Sequence, residues 1–170
     1  MKPLLVVDGY NVIGAWQEAA REAWTMDESR DRLLHRLQDY AGYSGDEIVL
    51  VFDGYRSDRR TAAIEERAGV TLVFTPHAET ADSYIERLVA QTPRYRQVRV
   101  ATSDGLEQSQ VQSTGASRMS ARELLRELHR TSREAARASS ASPVSRSPLG
   151  ARLPASVRDK LESIRRSGKT

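Results

Sequence analysis

Four short runs of apolar, mostly β-branched residues alternate with longer stretches of helical pattern, and this alternation limits the possible folds more than any other feature. The runs lie at residues 3–8, 47–53, 70–75 and 97–102. Each is short, nearly continuous in its apolar character and close to Gly, Pro or Asp, as expected for strands that are buried on both faces. Strands that alternate with helices predict right-handed βαβ crossovers and a mostly parallel sheet with helices on both faces.

The helical segments begin at recognisable capping residues. The predicted starts are Thr25-x-x-Glu28, Thr80, Asp104-x-x-Glu107 and Ser120-x-x-Glu123. Side chains of Thr, Ser and Asp at such positions accept hydrogen bonds from the first free N–H groups of a helix. Residues 54–69 fit two interpretations, a helical turn at residues 62–67 or a mobile loop, and the pattern leaves both open.

The charge of the chain is divided between an acidic body and a basic tail. Residues 1–129 hold 16 Lys and Arg against 20 Asp and Glu, whereas residues 130–170 hold 10 against 3. The tail is rich in Ser and Pro and has no aromatic residue, a composition typical of a linker. Near its end, Val157, Leu161 and Ile164 are spaced for one face of a short helix. We therefore expect a domain at 1–131 and, at 132–170, a basic linker that ends in this helix.

Several classes of protein are excluded or disfavoured. The sequence has no cysteine, so a thiol nucleophile or a metal site built on thiolates is excluded, and any metal must bind oxygen or histidine. The apolar run at residues 4–7 ends at Asp8, far short of the ~20 residues that span a bilayer, so we expect a soluble, cytoplasmic protein without membrane contact. The chain lacks both the Gly-x-x-x-x-Gly-Lys-Ser/Thr and the Gly-x-Gly-x-x-Gly pattern, and we expect no nucleotide cofactor.

Acidic residues stand at the ends of the predicted strands. Asp8, Asp53 and Asp104 each end or closely follow a strand, and Asp82 lies in the first turn of the next helix after residues 70–75. Because parallel strands end at one edge of a sheet, we expect these acids to converge there. Two unit charges ~4 Å apart cost about 4 kcal/mol at an effective dielectric of 20. Either raised pKa values or a divalent cation such as Mg²⁺ or Mn²⁺ must offset this repulsion.

A purely structural role is the alternative for each acid, since Asp after a strand often caps a helix. We expect Asp8 to be an exception, because Gly9 to Gly14 has two glycines and an Asn and is interpreted as a loop that lets backbone approach a ligand. A cation at this edge could activate water and neutralise a scissile phosphate, as phosphodiester hydrolysis requires.

Five ordered segments carry a family resemblance. They are Asp8 to Gly14, Val51 to Tyr55, Glu79 to Glu86, Ala101 to Gln108 and Arg118 to Leu125. Together they resemble the YacP-like branch of the NYN domains, which are relatives of the PIN-domain ribonucleases. The resemblance runs from the first strand to about residue 129, with a weaker likeness from Leu149 to Arg166. It implies a PIN-like three-layer α/β/α fold, an endoribonuclease that depends on Mg²⁺ or Mn²⁺ and, for this branch, ribosome association and cleavage of mRNA during translation.

The resemblance also implies roles for individual residues. The metal-binding acids would be Asp8, Asp82 and Asp104, with Asn11 and Asp53 as further members of the catalytic site. In our hypothesis Asp82 completes the metal shell or orients the attacking water, and Asn11 donates to a phosphate oxygen. Independently of the resemblance, the residue types near this edge predict RNA contacts at Tyr10, Asn11, Tyr55, Arg56, Arg59, Arg60, Thr102 and Ser103. Aromatic rings, Trp16 among them, would stack on bases, and the arginines would bind phosphate.

Other functions stay open on the sequence alone. The tail arginines, including Arg130, Arg133 and Arg137, would bind phosphate without sequence preference. The chain could be a non-catalytic RNA-binding or ribosome-docking module, or a metal-dependent phosphatase or nuclease acting on DNA. If RNA is cut, the nucleophile could be metal-activated water or the 2′-OH of the RNA itself, and these leave different product ends.

Overall fold

The structure is a computed structural model that describes residues 1–54, 60–102 and 116–141, apart from the side chains of residues 140 and 141. The chain divides into two units, Met1–Ala136 and Arg137–Thr170, and all the described strands belong to the first unit. The predicted boundary after residue 131 stays a prediction. The predicted C-terminal helix and the helix expected after Asp104 lie outside the described residues.

Strands and helices alternate along the first unit as predicted. In chain order the elements are β1 (Leu4–Asp8), α1 (Gly9–Ala15), α2 (Gln17–Arg21), α3 (Met26–Ser44), β2 (Glu47–Phe52), β3 (Ala63–Arg67), β4 (Val70–Phe74), α4 (Ala81–Gln91), β5 (Val98–Thr102), β6 (Ser117–Ser120) and α5 (Ala121–Ala141). The four predicted strands are all present, with bounds that agree to within one residue at each end. None of the described helices is both long and apolar enough to cross a membrane.

The strands form one six-stranded sheet in the order β3-β4-β2-β1-β5-β6. Every neighbouring pair is parallel except β3 and β4, which are antiparallel. In this order β1 lies in the interior of the sheet, between β2 and β5. The mostly parallel sheet confirms the predicted fold class.

Helices cover both faces of the sheet and produce two hydrophobic cores. On one face, α1, α3 and α5 contribute Val12, Leu33, Leu37 and Leu124, which pack against alternate strand residues. On the other face, α4 contributes Ala81, Ile85 and Val89, which pack against the intervening strand residues. Successive strand side chains point to opposite faces, so a continuous apolar strand supplies both cores. The result is the expected three-layer α/β/α arrangement.

Residues 63–67 form strand β3, so the helical turn expected as one alternative at residues 62–67 is wrong. Residues 55–59, which belong to the loop alternative, lie outside the described residues. The strand pairs with β4 at the edge of the sheet and turns into it through Ala68 and Gly69. Both turn residues have positive φ, 47° and 84°, as a tight hairpin with a type I′ turn requires. Four of the five β3 residues are exposed, and the apolar pattern of a buried strand is therefore absent from the sequence.

Three helix starts agree with the prediction within the described residues. Thr25 and Glu28 make both hydrogen bonds of a capping box at α3. Ser120 and Glu123 make the same pair of bonds at α5: the Ser120 N–H donates to Glu123 Oε2 at 2.7 Å, and the Glu123 N–H donates to Ser120 Oγ at 3.2 Å. Thr80 caps α4. Strand β6, four residues ending at Ser120, is absent from the prediction because its sequence Ser-Arg-Met-Ser has no apolar run.

Candidate active site

Three of the predicted acids lie at the carboxyl edge of the sheet. Asp8 is the last residue of β1, and Asp53 directly follows the neighbouring strand β2. Asp82 is in the first turn of α4, the helix that follows β4. Since β1, β2 and β4 are parallel neighbours, all three acids are brought to the same edge, as the sequence predicted.

Asp8 is buried, with 5% of its surface exposed, and both of its carboxylate oxygens accept hydrogen bonds from Asn11. The Asn11 backbone N–H donates to Oδ1 at 3.2 Å, and the Asn11 side-chain amide donates to Oδ2 at 2.5 Å. Asp8 is therefore the N-cap of helix α1. The interpretation of residues 9–14 as a loop, and of Asp8 as an acid unsuited to capping, is wrong.

Tertiary packing explains why this stretch is helical despite its two glycines. Val12 and Ile13 are buried in the core on the α1 face, and such burial outweighs the low helix propensity of glycine, a penalty of about 1 kcal/mol per residue. Gly9 is required by close approach, because a Cβ at this position would lie 2.2 Å from Cε1 of Phe52. The glycine thus lets the first turn of α1 lie directly against the end of β2.

Burial raises the pKa of the Asp8 carboxyl above its ordinary value of 3.8. The two hydrogen bonds from Asn11 act in the opposite direction, and the negative charges of Asp82 and Asp53 raise the pKa further. Asp8 therefore interacts electrostatically with each of these two acids. Relief of this repulsion is what a bound cation would provide.

The other acids are held by the ends of neighbouring elements. Asp53 precedes Gly54, whose N–H donates to the buried hydroxyl of Thr75 at 2.9 Å. A Cβ at residue 54 would lie 1.7 Å from the Thr75 carbonyl oxygen, so only glycine allows the chain after β2 to approach β4 in this way. Thr80 accepts the hydrogen bond that caps α4, so Asp82 does not have the capping role that was the alternative to a functional one. The Asp82 side chain is exposed.

An oxygen-only donor set suits Mg²⁺ or Mn²⁺, since these ions prefer carboxylates and retain several waters. Within the described ranges, no group of three or more acidic or histidine side chains is placed to hold one metal ion. Asp104, the third expected metal ligand, lies outside those ranges. The described acids alone therefore form no metal site, although their carboxylate oxygens are the donor type that Mg²⁺ takes.

An aromatic cluster adjoins the acids. The Tyr10 ring lies 4.9 Å from the Phe52 ring, which lies 5.6 Å from the ring of Phe74. The Tyr10 hydroxyl accepts a hydrogen bond from Arg30 Nη1 at 3.3 Å. Beside this cluster is a cleft of about 330 Å³. It is lined by Asp27, Arg30, Asp31, Leu34, Phe52, Glu65, Arg67, Leu72 and Phe74.

The expected RNA contacts have different outcomes. Tyr10 is half-buried and Arg60 is exposed, whereas Thr102 is buried at the end of β5. Trp16 is 5% exposed and packs edge-on against Trp24 at 5.2 Å, so the expectation that it is available to stack on a base is wrong. Tyr55, Arg56, Arg59 and Ser103 lie outside the described residues.

The comparisons with known proteins agree with the fold. The YacP-like NYN domain family model matches residues 5–166. The uncharacterised protein YacP of Bacillus subtilis is 40% identical over 130 residues, which are 74% of each chain. The crystal structure of Rae1 (YacP) from Bacillus subtilis is similar, with a TM-score of 0.67 and 34% identity over 99% of this chain and 86% of that one. A crystal structure of a mutant of the same Bacillus subtilis protein gives a TM-score of 0.66 and 34% identity over 95% and 99% of the two chains. The chain therefore belongs to the YacP-like NYN domain family, within a nuclease-like superfamily of PIN-like fold.

Proposed function

We propose that the chain is a metal-dependent endoribonuclease that hydrolyses RNA phosphodiester bonds with metal-activated water, and that it acts on mRNA at the ribosome in the cytoplasm. The observation that carries this proposal is Asp8, a buried carboxylate at the end of an interior strand whose pKa is raised by burial and by two neighbouring acids. Buried acids of this kind are enriched at functional sites. Membership of a nuclease-like family supports the same chemistry.

Mg²⁺ or Mn²⁺ would be held by Asp8, Asp82 and Asp104, with Asp53 beside them. When bound, such a cation supplies a Lewis acid for the phosphate and lowers the pKa of a bound water. The position of Asp104 in this set is carried over from the family motif.

Asn11 is the positioning residue of the proposed site. Its two N–H groups fix the plane of the Asp8 carboxylate from one side, and they favour the charged form that a cation needs. A role for the Asn11 amide at a phosphate oxygen would require that it leave Asp8 Oδ2. We propose that Asp53 and Asp82 keep the surroundings of Asp8 negatively charged, so that a cation binds there before the phosphate does.

The RNA strand is proposed to pass over the aromatic and basic rim of the site. Tyr10 offers a half-buried ring beside the acids, and Arg60 offers an exposed guanidinium. Tyr55, Arg56, Arg59 and Ser103, predicted from the sequence, complete the proposed contacts, and Thr102 is left out of them because it is buried. Stacking on aromatic rings and pairing of arginine with phosphate are the usual means of binding single-stranded RNA.

The proposal is tested by incubating the protein with labelled mRNA, naked and within translating ribosomes, and with DNA of the same sequence. Each substrate is tested with Mg²⁺, with Mn²⁺ and with EDTA, and the product ends are mapped. We expect cleavage of RNA but not of DNA, and the products should carry a 5′-phosphate and a 3′-hydroxyl. Cleavage should be lost with EDTA and be faster for mRNA within translating ribosomes. Equal cleavage of DNA would overturn the assignment to RNA, and a 2′,3′-cyclic phosphate would overturn attack by water.

A further inference from the structure

One face of helix α5 carries a row of arginines. Arg122, Arg126, Arg130 and Arg133 follow one another at spacings of four, four and three residues, and all four are exposed. At about 100° per residue their side chains leave the helix within an arc of about 80°. At about 1.5 Å per residue, the row extends about 16 Å along the helix axis.

The row points away from the core of the first unit. Ala121, Leu124, Leu128 and Thr131 are buried on the opposite side of the helix, where the two leucines pack into the core beneath α1 and α3. The position of the arginines is thus fixed by the apolar face of α5.

The acidic residues of α5 make their hydrogen bonds to groups outside the row, although Arg126 also attracts the Glu123 carboxylate. Glu123 accepts the capping bond from Ser120, and Glu127 accepts hydrogen bonds from Tyr40 and Arg99. Glu134 accepts a hydrogen bond from Tyr43 at 3.0 Å. Within the part of the chain that the structure describes, none of the four arginines makes an ion pair within 4.0 Å.

The row begins at the edge of the sheet where the candidate active site lies. Thr102 pairs with Ser120, the residue before α5, and the parallel pairing of β1 with β5 places Thr102 level with Asp8. Helix α5 therefore starts at the carboxyl edge and packs on the face of the sheet that α1 and α3 also cover. An RNA strand that is bound over Asp8 could continue along the arginine row.

We propose that the α5 arginine row (Arg122, Arg126, Arg130 and Arg133) binds the phosphate backbone of RNA at a distance from the cleaved bond. This inference rests on the proposed function, because it takes RNA as the ligand. Successive cations about 6 Å apart along one line suit a linear polyanion, and the planar guanidinium fork matches a phosphate. From Arg122 to Arg133 no apolar side chain falls within the arc, so the face lacks the anchors of a protein or membrane contact.

The test is RNA binding by the full chain in an Asp8→Asn background, measured by fluorescence anisotropy with a labelled hairpin RNA over a range of salt concentrations. In one variant the four arginines become Gln, which preserves helix propensity. We expect affinity to fall at least tenfold at low salt, and the slope of log K against log salt to shrink by about 3, because each phosphate contact contributes about 0.7 to 0.9. A variant with the four arginines changed to Lys should keep most of the slope.

The matched control removes the same charge elsewhere by changing Lys2, Arg21, Arg32 and Arg94, all exposed, to Gln. The proposal is overturned if the row variant keeps its affinity and slope, or if the control loses as much. If the wild type cuts no RNA, and the row variant loses RNA binding while the control keeps it, the nuclease proposal is wrong and the proposal for the α5 arginine row is retained. If the wild type cuts RNA and the row variant binds RNA as well as the wild type does, only the proposal for the α5 arginine row is wrong.

Discussion

At the scale of single residues, Asp8 has two roles that place opposite demands on its charge. As the N-cap of α1 it stabilises the helix by accepting the Asn11 N–H. The same carboxylate is buried beside Asp53 and Asp82, and its pKa is raised as a result. A charged group in such a position lowers the stability of the fold, a cost that is common where function requires the charge.

Asp8→Asn is therefore expected to raise the free energy of unfolding at pH 7 without metal, because Asn caps a helix about as well as Asp and carries no charge. The Asn11 amide turns over in this variant, so that its oxygen accepts from the new side-chain NH₂ and both hydrogen bonds are kept. The Asp8 charge lowers the free energy of unfolding by its full amount at pH values above the raised pKa that Asp8 has in the folded protein. This loss of stability shrinks as the pH falls, and it is absent below 3.8, the ordinary pKa of the carboxyl. Urea unfolding of both proteins from pH 7 to pH 3.5 measures the difference, which should close toward low pH. A variant that is less stable than wild type at pH 7 would contradict this account.

A cation bound at Asp8 should stabilise the folded protein. Mn²⁺ at about 100 times its dissociation constant is expected to add about 2.7 kcal/mol to the free energy of unfolding of the wild type, and much less to that of Asp8→Asn. Asp39→Asn changes an exposed acid on α3 and serves as the matched control, which should retain the full effect. Thermal unfolding with and without Mn²⁺ measures all three. Equal stabilisation of Asp8→Asn would show that the cation binds elsewhere.

The sequence predicts which acids gather at one edge, but it does not predict how Asp8 is held. The convergence of Asp8, Asp53 and Asp82 follows from the parallel direction of the strands and from where the strands end. The contact between Asp8 and Asn11 depends on residues 9–15 being helical, which their glycines obscure. The expectation for Trp16 fails for a related reason, because its burial against Trp24 depends on how α2 and α3 pack.

At the scale of elements, the buried strands are predictable and the exposed ones are not. Strands β1, β2, β4 and β5 supply side chains to both cores, so their sequences are nearly continuous apolar runs. Strand β3 lies at the sheet edge with mostly exposed residues, and four-residue β6 at the opposite edge has no fully buried side chain. Edge strands need less apolar surface, and sequence periodicity carries little signal for them.

The two glycines of α1 provide a matched pair of substitutions. A Cβ at Gly9 meets the Phe52 ring, whereas a Cβ at Gly14 meets nothing within 4 Å. Gly9→Ala should therefore lower the free energy of unfolding by about 1–3 kcal/mol through overpacking. Gly14→Ala should raise it by about 0.5–1 kcal/mol, since alanine is the better helix former. Denaturant unfolding measures both, and a loss of similar size at Gly14 would contradict the packing argument.

At the scale of the whole molecule, a polar network joins distant parts of the chain. Arg99 on β5 donates to Asp46 Oδ2 at 2.7 Å, to the Tyr40 hydroxyl at 2.8 Å and to Glu127 Oε1 at 3.3 Å. These partners belong to α3, to the segment before β2 and to α5. The Asp46 side chain is 9% exposed, so the network holds a charge that water reaches poorly.

Arg99→Met is expected to lower the free energy of unfolding by about 2 kcal/mol, because it leaves Asp46 and Glu127 without their cation. Arg67→Met is the control, since its ion pair with Glu65 is half-exposed on both sides and pairs of that kind contribute about 0–1 kcal/mol. Equal losses in the two variants, measured by urea unfolding, would mean that the Arg99 network does not link the elements as described.

The layered architecture of the whole domain is predictable because it depends on the order of buried strands and amphipathic helices. The Arg99 network is not, because its members are separated by up to 87 residues, from Tyr40 to Glu127, and only the folded chain brings them together. For the α5 arginine row, the spacing and the apolar face on the opposite side are visible in the sequence. Its place beside the candidate active site is not, because it depends on the pairing of β6 with β5.

The role of Asp8 in catalysis is tested by the cleavage rate of one labelled RNA by the wild type, Asp8→Asn and Asp39→Asn at saturating Mn²⁺. We expect Asp39→Asn to cut at the wild-type rate and Asp8→Asn to be slower by on the order of 100-fold or more, because a carboxylate that holds the cation is lost. Unfolding measurements on the same samples ensure that all three are folded. Cleavage by folded Asp8→Asn at the wild-type rate would contradict the placement of the active site at this edge of the sheet.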